Sequence, residues 1–229
     1  MTIDQPWVLF GVFPLVAYLA GSIPFGVLIA RSRGIDIRAH GSGNTGATNV
    51  LRIVGKRWGI LCCVLDVLKG LLPSLAAGVL LTGLSGKTAP TPAQQLSWVL
   101  VALAAICGHV FSVWLKFRGG KGVATAFGVV VGIWPFFTVA GLAGLGVWIV
   151  VTRVSRFVSV GSMMSALSLA PLFVAWNWMI LGWTAVIDLW PMVAMAVVMG
   201  LLIVIRHRSN IAKLLAGTEG RIDDPRGQE

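Results

Sequence analysis

The chain is 229 residues long, 57% hydrophobic and only 11% charged, with a mean hydropathy of +0.88. Soluble globular domains carry roughly 25% charged residues, so these values exclude that class and point to a polytopic membrane protein. The formal net charge of +10 then belongs to cytoplasmic loops that set topology and meet anionic lipid or substrate, and no nucleic-acid partner is expected.

Crossing a hydrocarbon core of about 30 Å takes roughly 20 apolar residues. Runs near that length predict an all-α bundle of seven transmembrane helices over 7–30, 57–82, 97–116, 122–135, 137–152, 159–176 and 187–205. The first run follows Asp4 rather than basic residues and continues to Arg31 with no small-residue cleavage pattern, so it is not a cleaved signal. Ser22 and Pro24 interrupt it in GSIPFG. Arg31, Arg33, Arg38, Arg52, Lys56 and Arg57 follow the first helix, Lys116, Arg118 and Lys121 the third, and Arg153 and Arg156 the fifth. Arg206, Arg208, Lys213, Arg221 and Arg226 close the chain. Of the 18 lysines and arginines, all but Lys69 and Lys87 thus fall at alternate helix ends. By the positive-inside rule those ends are cytoplasmic, which puts the N-terminus outside and the C-terminus inside.

The stretch from Lys121 to Arg153 must return to the side it left. Two short helices of roughly 22 Å, turning at Gly132 and Pro135, satisfy that; one long tilted helix would break the charge alternation. Trp98, Trp134, Trp176, Trp178, Trp183 and Trp190 are expected at the outer interface as an aromatic belt. The polar LSGKTAPTPAQQ reads as a connector, and 220–229, ending in IDDPRGQE, as a disordered tail on a single domain covering 1–229. Cys62, Cys63 and Cys107 lie in apolar runs without a C-x-x-C, which suggests small buried hydrophobes rather than disulfides or a metal site.

GSGNTGATNVLR, Gly41 to Arg52, contains a literal G-x-G-x-x-G. A dinucleotide fingerprint needs a strand before it and a helix after it inside a βαβ unit. Here a membrane helix precedes it, so that reading fails. Closely spaced Gly, Ser, Thr and Asn still let backbone N–H groups converge on an anion, and a helix starting near Thr48 or Asn49 would add its positive end. Three further segments fall on the same face: GGKG around Lys121, RFVSVGS with Ser159 and Ser162, and RHRSNIAKLLAGTE with His207, Asn210 and Lys213 at helical spacing. Several anion-binding loops on one face of a membrane protein indicate a phosphorylated substrate.

Asp66 and Lys69 lie three apart inside the second predicted helix, and His109 near the inner end of the third. Ionisable groups within a span are functional candidates, but this pair can also neutralise itself as a structural ion pair. A structural hydrogen bond for His109 stands beside a catalytic role.

GSIPFG, GSGNTGATNVLR, DVLKG, GHVFSVWLKFRGGKGVAT and RHRSNIAKLLAGTE occur in that order over nearly the whole chain. In these the sequence resembles the bacterial acyl-phosphate-dependent glycerol-3-phosphate acyltransferases, the PlsY family. The resemblance implies a seven-helix, multi-pass enzyme of the bacterial inner membrane with its active site facing the cytoplasm. It would transfer a fatty acyl group from acyl phosphate to the sn-1 hydroxyl of glycerol 3-phosphate, giving lysophosphatidic acid and phosphate. On that resemblance Gly41, Ser42, Gly43, Asn44, Thr45, Gly46, Ala47 and Thr48 hold the acyl phosphate. Arg38, Arg52, Lys121, Ser159, Ser162, His207 and Asn210 bind glycerol 3-phosphate. Ser22, Lys121, His207 and Asn210 form the catalytic set, with Asp66, Lys69, His109 and Glu219 in support. Membrane lipids are the expected surroundings, and no metal, cofactor or obligatory protein partner is expected.

Candidates for the general base are His109, His207, Asp66 and Glu219. No Ser-His-Asp or Cys-His arrangement is evident, and H-x-x-x-x-D is absent. The working hypothesis gives the proton to a substrate phosphate oxygen, with His207 positioning. The rival class is a transporter of a phosphorylated or anionic metabolite, which explains the helices and basic loops equally well. It explains less well why the glycine loops lie on one face rather than near the midplane, where transporters bind substrate. An enzyme using acyl-CoA or acyl carrier protein as donor is the second rival.

Overall fold

Pro24 decides the shape of the first span. Proline lacks the N–H that a helix needs and drives the preceding residue out of the helical region. The computed structural model, which describes residues 5–83 and 90–222, accordingly breaks the apolar stretch Val8–Arg31 into α1 (Phe13–Ser22) and α2 (Phe25–Arg31). Ile23 between them is extended, with ψ at 119°. The connector residue Lys87 and most of the predicted tail lie outside the described residues.

The other elements follow the expected order: α3 (Ala47–Ile53), α4 (Lys56–Gly78), α5 (Pro92–Val110), α6 (Val123–Gly132), α7 (Thr138–Ser155), α8 (Val158–Leu181), α9 (Trp183–Asp188), α10 (Trp190–Arg206) and α11 (Arg208–Leu215). No strand occurs among the described residues. Among the described residues five helical stretches are long and apolar enough to cross a membrane, or six if α10 and α11, bent by 54°, are one span. Helix α6 has ten residues, about 15 Å at 1.5 Å per residue, half a hydrocarbon core. The short first arm expected for the 122–152 hairpin is therefore present, and Phe136, Phe137 and their neighbours turn it into α7. Helix α5 starts earlier than the apolar pattern suggests, because Thr91 and Gln94 form a capping box around Pro92. Gly220, Arg221 and Ile222 of the predicted tail are described, and the Ile222 N–H donates to the Arg156 carbonyl at 2.9 Å.

Without a hydrophobic driving force between helices in lipid, close approach of backbones supplies the packing. Gly70 and Gly128 bring α4 against α6: a Cβ on either would overlap the carbonyl of Thr125 or Val67. Gly21 and Gly108 do the same for α1 and α5. Phe137 stacks on Phe173 at 4.0 Å, and Met192, Met195 and Met199 of α10 fill the remaining interior. Trp98 departs from the expected belt. It is 1% exposed, donates to the Ser74 carbonyl at 2.7 Å and packs on Gly78, whereas Trp134, Trp178, Trp183 and Trp190 are exposed.

Candidate functional site

A cavity of about 360 Å³ opens where the loops before α3 and α6 meet the start of α8 and the α10–α11 junction. Its mouth is polar, lined by Ser42, Thr48, Arg52, Lys121, Asn210 and Glu219; its depth is apolar, lined by Val130, Leu145, Leu169 and Met199. Leu169 lies eleven positions into α8 from Val158, so the lining runs about 16 Å along that helix.

The glycine loop is a folded object rather than a slack one. Gly41 and Gly43 have φ of 58° and 68°, a region that L side chains rarely adopt. Asn49 holds the loop from inside: its amide nitrogen donates to the carbonyls of Ile37, His40 and Asn44 at 3.2, 3.1 and 2.9 Å, and its oxygen accepts from the Ser42 N–H at 3.1 Å. The N–H groups of Gly43, Asn44 and Gly46 are likewise taken, by the His40 carbonyl, the Ser42 hydroxyl and the Asn44 side chain. The loop therefore offers fewer free amides than a converging nest would. Those of Ala47 and Thr48, in the first turn of α3, have no partner inside the helix, and both residues line the cavity.

The Lys121 loop is equally fixed. Gly122 takes φ of 86° at the start of α6, and the Arg206 guanidinium donates to the carbonyls of Gly119 and Gly120, each at 3.3 Å. Lys121 Nζ donates to Asn210 Oδ1 at 2.5 Å, and Asn210 Nδ2 donates to Glu219 Oε1 at 2.6 Å. Ser159 Oγ donates to the same carboxylate oxygen at 2.9 Å. A relay of four residues thus ties the loop before α6, α8, α11 and the segment after it together. Arg52 reaches the Gly220 carbonyl at 3.5 Å. His207, 2% exposed, has Nδ1 at 2.8 Å from the Ile203 carbonyl; in the neutral ring that makes Nδ1 the donor and leaves Nε2 to accept.

Arg52, Lys121 and Lys213 put three cationic side chains on the cavity wall. Burial pushes the Lys121 ammonium down to about 8 from the usual lysine value; Glu219 opposes that shift, while Lys213, Arg206 and Arg52 add to it. An anion entering the mouth restores what burial takes from Lys121. Among the described residues no three His, Cys, Asp or Glu side chains come together as a metal site.

Most predicted site residues converge on this cavity: Ser42, Asn44, Gly46, Ala47, Thr48, Arg52, Lys121, Ser159, Ser162, His207, Asn210 and Glu219, together with Asp66 and His109. Gly41 and Gly43 shape the loop without lining the cavity. Arg38 is half-exposed and paired with Asp36 at 3.2 Å, off the cavity wall. Ser22 and Thr45 line a separate space of about 10 Å³ with Lys69, roughly the volume of one water. Ser22 Oγ is buried there with no hydrogen-bond partner among the described residues, while its carbonyl accepts from Ser112 Oγ at 2.6 Å. Lining residues beyond the predicted set include Asn49, Trp148 and Cys63, and also Lys213, which the sequence places in an anion-binding segment without assigning it a substrate. Asn49 and Lys213 were within reach, since both sit in quoted motifs; Trp148, which donates to Ser162 Oγ at 3.2 Å, carries no sequence signal that separates it from an interfacial tryptophan.

A sequence model of the family described as glycerol-3-phosphate acyltransferase matches residues 11–217. The glycerol-3-phosphate acyltransferase of Thermosynechococcus vestitus is 44% identical over 223 residues, 96% of this chain and 98% of its own. That of an Anaeromyxobacter species is 46% identical over 207 residues, covering 90% and 92%. The crystal structure of PlsY, an integral membrane glycerol 3-phosphate acyltransferase, in its glycerol 3-phosphate form superposes with a TM-score of 0.77 at 37% identity, over 92% of this chain and 94% of that one. Its lysophosphatidic acid form gives 0.73 at 36% identity, over 92% and 93%.

Proposed function

We propose a reaction for this chain from one premise: it belongs to the glycerol-3-phosphate acyltransferase family. The chain acylates glycerol 3-phosphate to lysophosphatidic acid. The donor is acyl phosphate, and the acceptor is the sn-1 hydroxyl. The observation that carries this reading is the two-natured cavity, with three cations at its mouth and an apolar depth behind them. Both substrates bear a phosphate, and one bears an acyl chain. A solved relative is described in a glycerol 3-phosphate form and in a lysophosphatidic acid form, which are the acceptor and the product of the same transfer.

The chemistry asks little of the protein. The hydroxyl oxygen attacks the acyl carbonyl carbon, the bond from that carbon to the phosphate oxygen breaks, and inorganic phosphate leaves with the electron pair. Charge accumulates on the carbonyl oxygen and the departing phosphate, where Arg52, Lys121 and the first-turn amides of α3 stabilise it. Ser159, Asn210 and His207 orient the glycerol phosphate, and holding both substrates in line supplies much of the acceleration. A phosphate oxygen of the substrate takes the hydroxyl proton. Glu219 is already engaged by Ser159 and Asn210, so its part is to hold those donors in place.

The enzyme is a single membrane-embedded domain. It crosses the bacterial inner membrane seven times, N-terminus outside and C-terminus in the cytoplasm, where the cavity opens. The alternation of basic segments supports that orientation.

A donor panel tests the reading. Purified protein in liposomes receives glycerol 3-phosphate with palmitoyl phosphate, palmitoyl-CoA or palmitoyl acyl carrier protein, and both phosphate and lysophosphatidic acid are measured. Equal amounts of the two products with palmitoyl phosphate alone are expected. Turnover with a thioester donor would overturn the donor assignment, and movement of glycerol 3-phosphate across the liposome with no turnover would identify a transporter.

A further inference from the structure

At the cavity wall lie ionisable groups that the transfer itself does not use. Asp66, Lys69 and His109 are each at most 7% exposed. Lys69 Nζ lies 2.8 Å from Asp66 Oδ1 and donates to the Ile23 carbonyl at 2.9 Å. That carbonyl stands at the break between α1 and α2, so the ammonium binds the backbone that the proline interrupts. Helix α2 resumes at Phe25, and its Gly26 lies so close to the Thr45 carbonyl that a Cβ would overlap it. Where α2 sits, the glycine loop must sit.

His109 makes the matching connection on the other loop. Its Nδ1 is 3.6 Å from Asp66 Oδ1 and 3.1 Å from Thr125 Oγ1. The Gly120 backbone rests on the imidazole, since a Cβ there would overlap Nε2, and the Gly120 N–H donates to the His109 carbonyl at 3.2 Å. Lys121 is the next residue. Asp66 and His109 line both the substrate cavity and the small space that holds Ser22 and Thr45, so the cluster forms the wall between them.

We infer that Asp66, Lys69 and His109 are positioning residues: one buried charge cluster sets the glycine loop through Ile23 and Gly26, and sets Lys121 through Gly120. The inference rests on the acyl-transfer reading above. It separates this cluster from an ordinary helix staple. Replacing a buried ion pair by uncharged residues of similar size is often neutral for stability, so a pair kept only to join helices is dispensable to turnover.

The experiment uses the full chain in detergent. The double variant Asp66→Asn/Lys69→Met and the isosteric Thr125→Val are made in the wild-type and Lys121→Ala backgrounds. Thr125 is buried and off the cavity wall, and Thr125→Val keeps its Cγ2 contact with Gly70 while removing the hydroxyl that reaches His109. Folding is followed by thermal melts, and kcat and KM by lysophosphatidic acid formation. In the wild-type background each is expected to lower kcat/KM roughly 10- to 100-fold, with kcat carrying most of the loss, because displacements of about 1 Å cost that much. In the Lys121→Ala background the further loss from Thr125→Val is expected to shrink to within about threefold, since the residue its branch positions is gone. The double variant, which also releases the glycine loop, keeps part of its loss there. Wild-type kcat in either folded variant, or a Thr125→Val loss that multiplies in full in the Lys121→Ala background, would overturn the inference. If the double variant does not fold, Thr125→Val alone decides. A wild-type protein inactive with every donor would instead defeat the acyl-transfer reading, and the two failures are distinct.

Discussion

The Lys121–Asn210–Glu219–Ser159 cluster and the Asp66–Lys69–His109 cluster each join residues far apart in the chain, but they treat charge differently. In the second, ammonium meets carboxylate directly at 2.8 Å. In the first, an amide stands between them: Lys121 donates to Asn210, and Asn210 donates to Glu219. The amide orients the ammonium without neutralising it. A phosphate arriving at Lys121 displaces a neutral partner, whereas one arriving at Lys69 would have to break a buried ion pair. Interposing a neutral side chain keeps a cation both fixed and available, and direct pairing keeps one fixed and occupied.

That contrast can be broken at several points. The largest effect is expected from Lys121→Ala, which removes a preorganised donor from the developing charge and should lower kcat/KM by about 100- to 1000-fold in a lysophosphatidic acid assay. Glu219→Gln comes next. It takes the charge from the carboxylate that receives Ser159 and Asn210, and hydrogen bonds to charged groups are worth about 1.5–3 kcal/mol. A loss of about 10- to 100-fold is expected, mostly as a raised KM for glycerol 3-phosphate. Titration of Lys121 should produce a smaller effect. With its ammonium held down to about 8, the protonated, anion-binding form prevails below that pH and is lost above it. Affinity for glycerol 3-phosphate should fall by about tenfold between pH 7 and 9, and Lys121→Arg should flatten the fall. The smallest effect belongs to Arg38→Ala. Arg38 pairs with Asp36 at the surface and does not line the cavity, so turnover should stay within about twofold of wild type. A large loss there would return Arg38 to the site that the sequence assigned it.

Much of the fold is legible in the sequence because lipid leaves a chain few choices. Long apolar runs must be helices, and the basic residues then mark one set of ends. The short helix α6 was readable from the same logic, since the charge alternation asks Lys121 and Arg153 to stay on one side. What the pattern could not supply is the difference between lining a cavity and packing beside it. Nothing in the sequence marks Ser22, in GSIPFG, or Arg38, three residues before the glycine motif, as missing the cavity; Ser22 lines the small pocket with Thr45, and Arg38 pairs with Asp36. Trp98 looks like any interfacial tryptophan until Gly78 opens a place for its ring. The glycine motif was legible as a loop, but not the fact that Asn49 holds it from within.

The most direct measurement of the central claim, that the cationic mouth of the cavity holds glycerol 3-phosphate, is calorimetric titration of that ligand into wild-type protein and Lys121→Ala, in detergent and below pH 8. Saturable binding to the wild type, weakened at least about tenfold by Lys121→Ala in a variant with an unchanged melting profile, is the expected result. Unchanged affinity in the variant would contradict it, and would move the acceptor phosphate to some other part of the molecule.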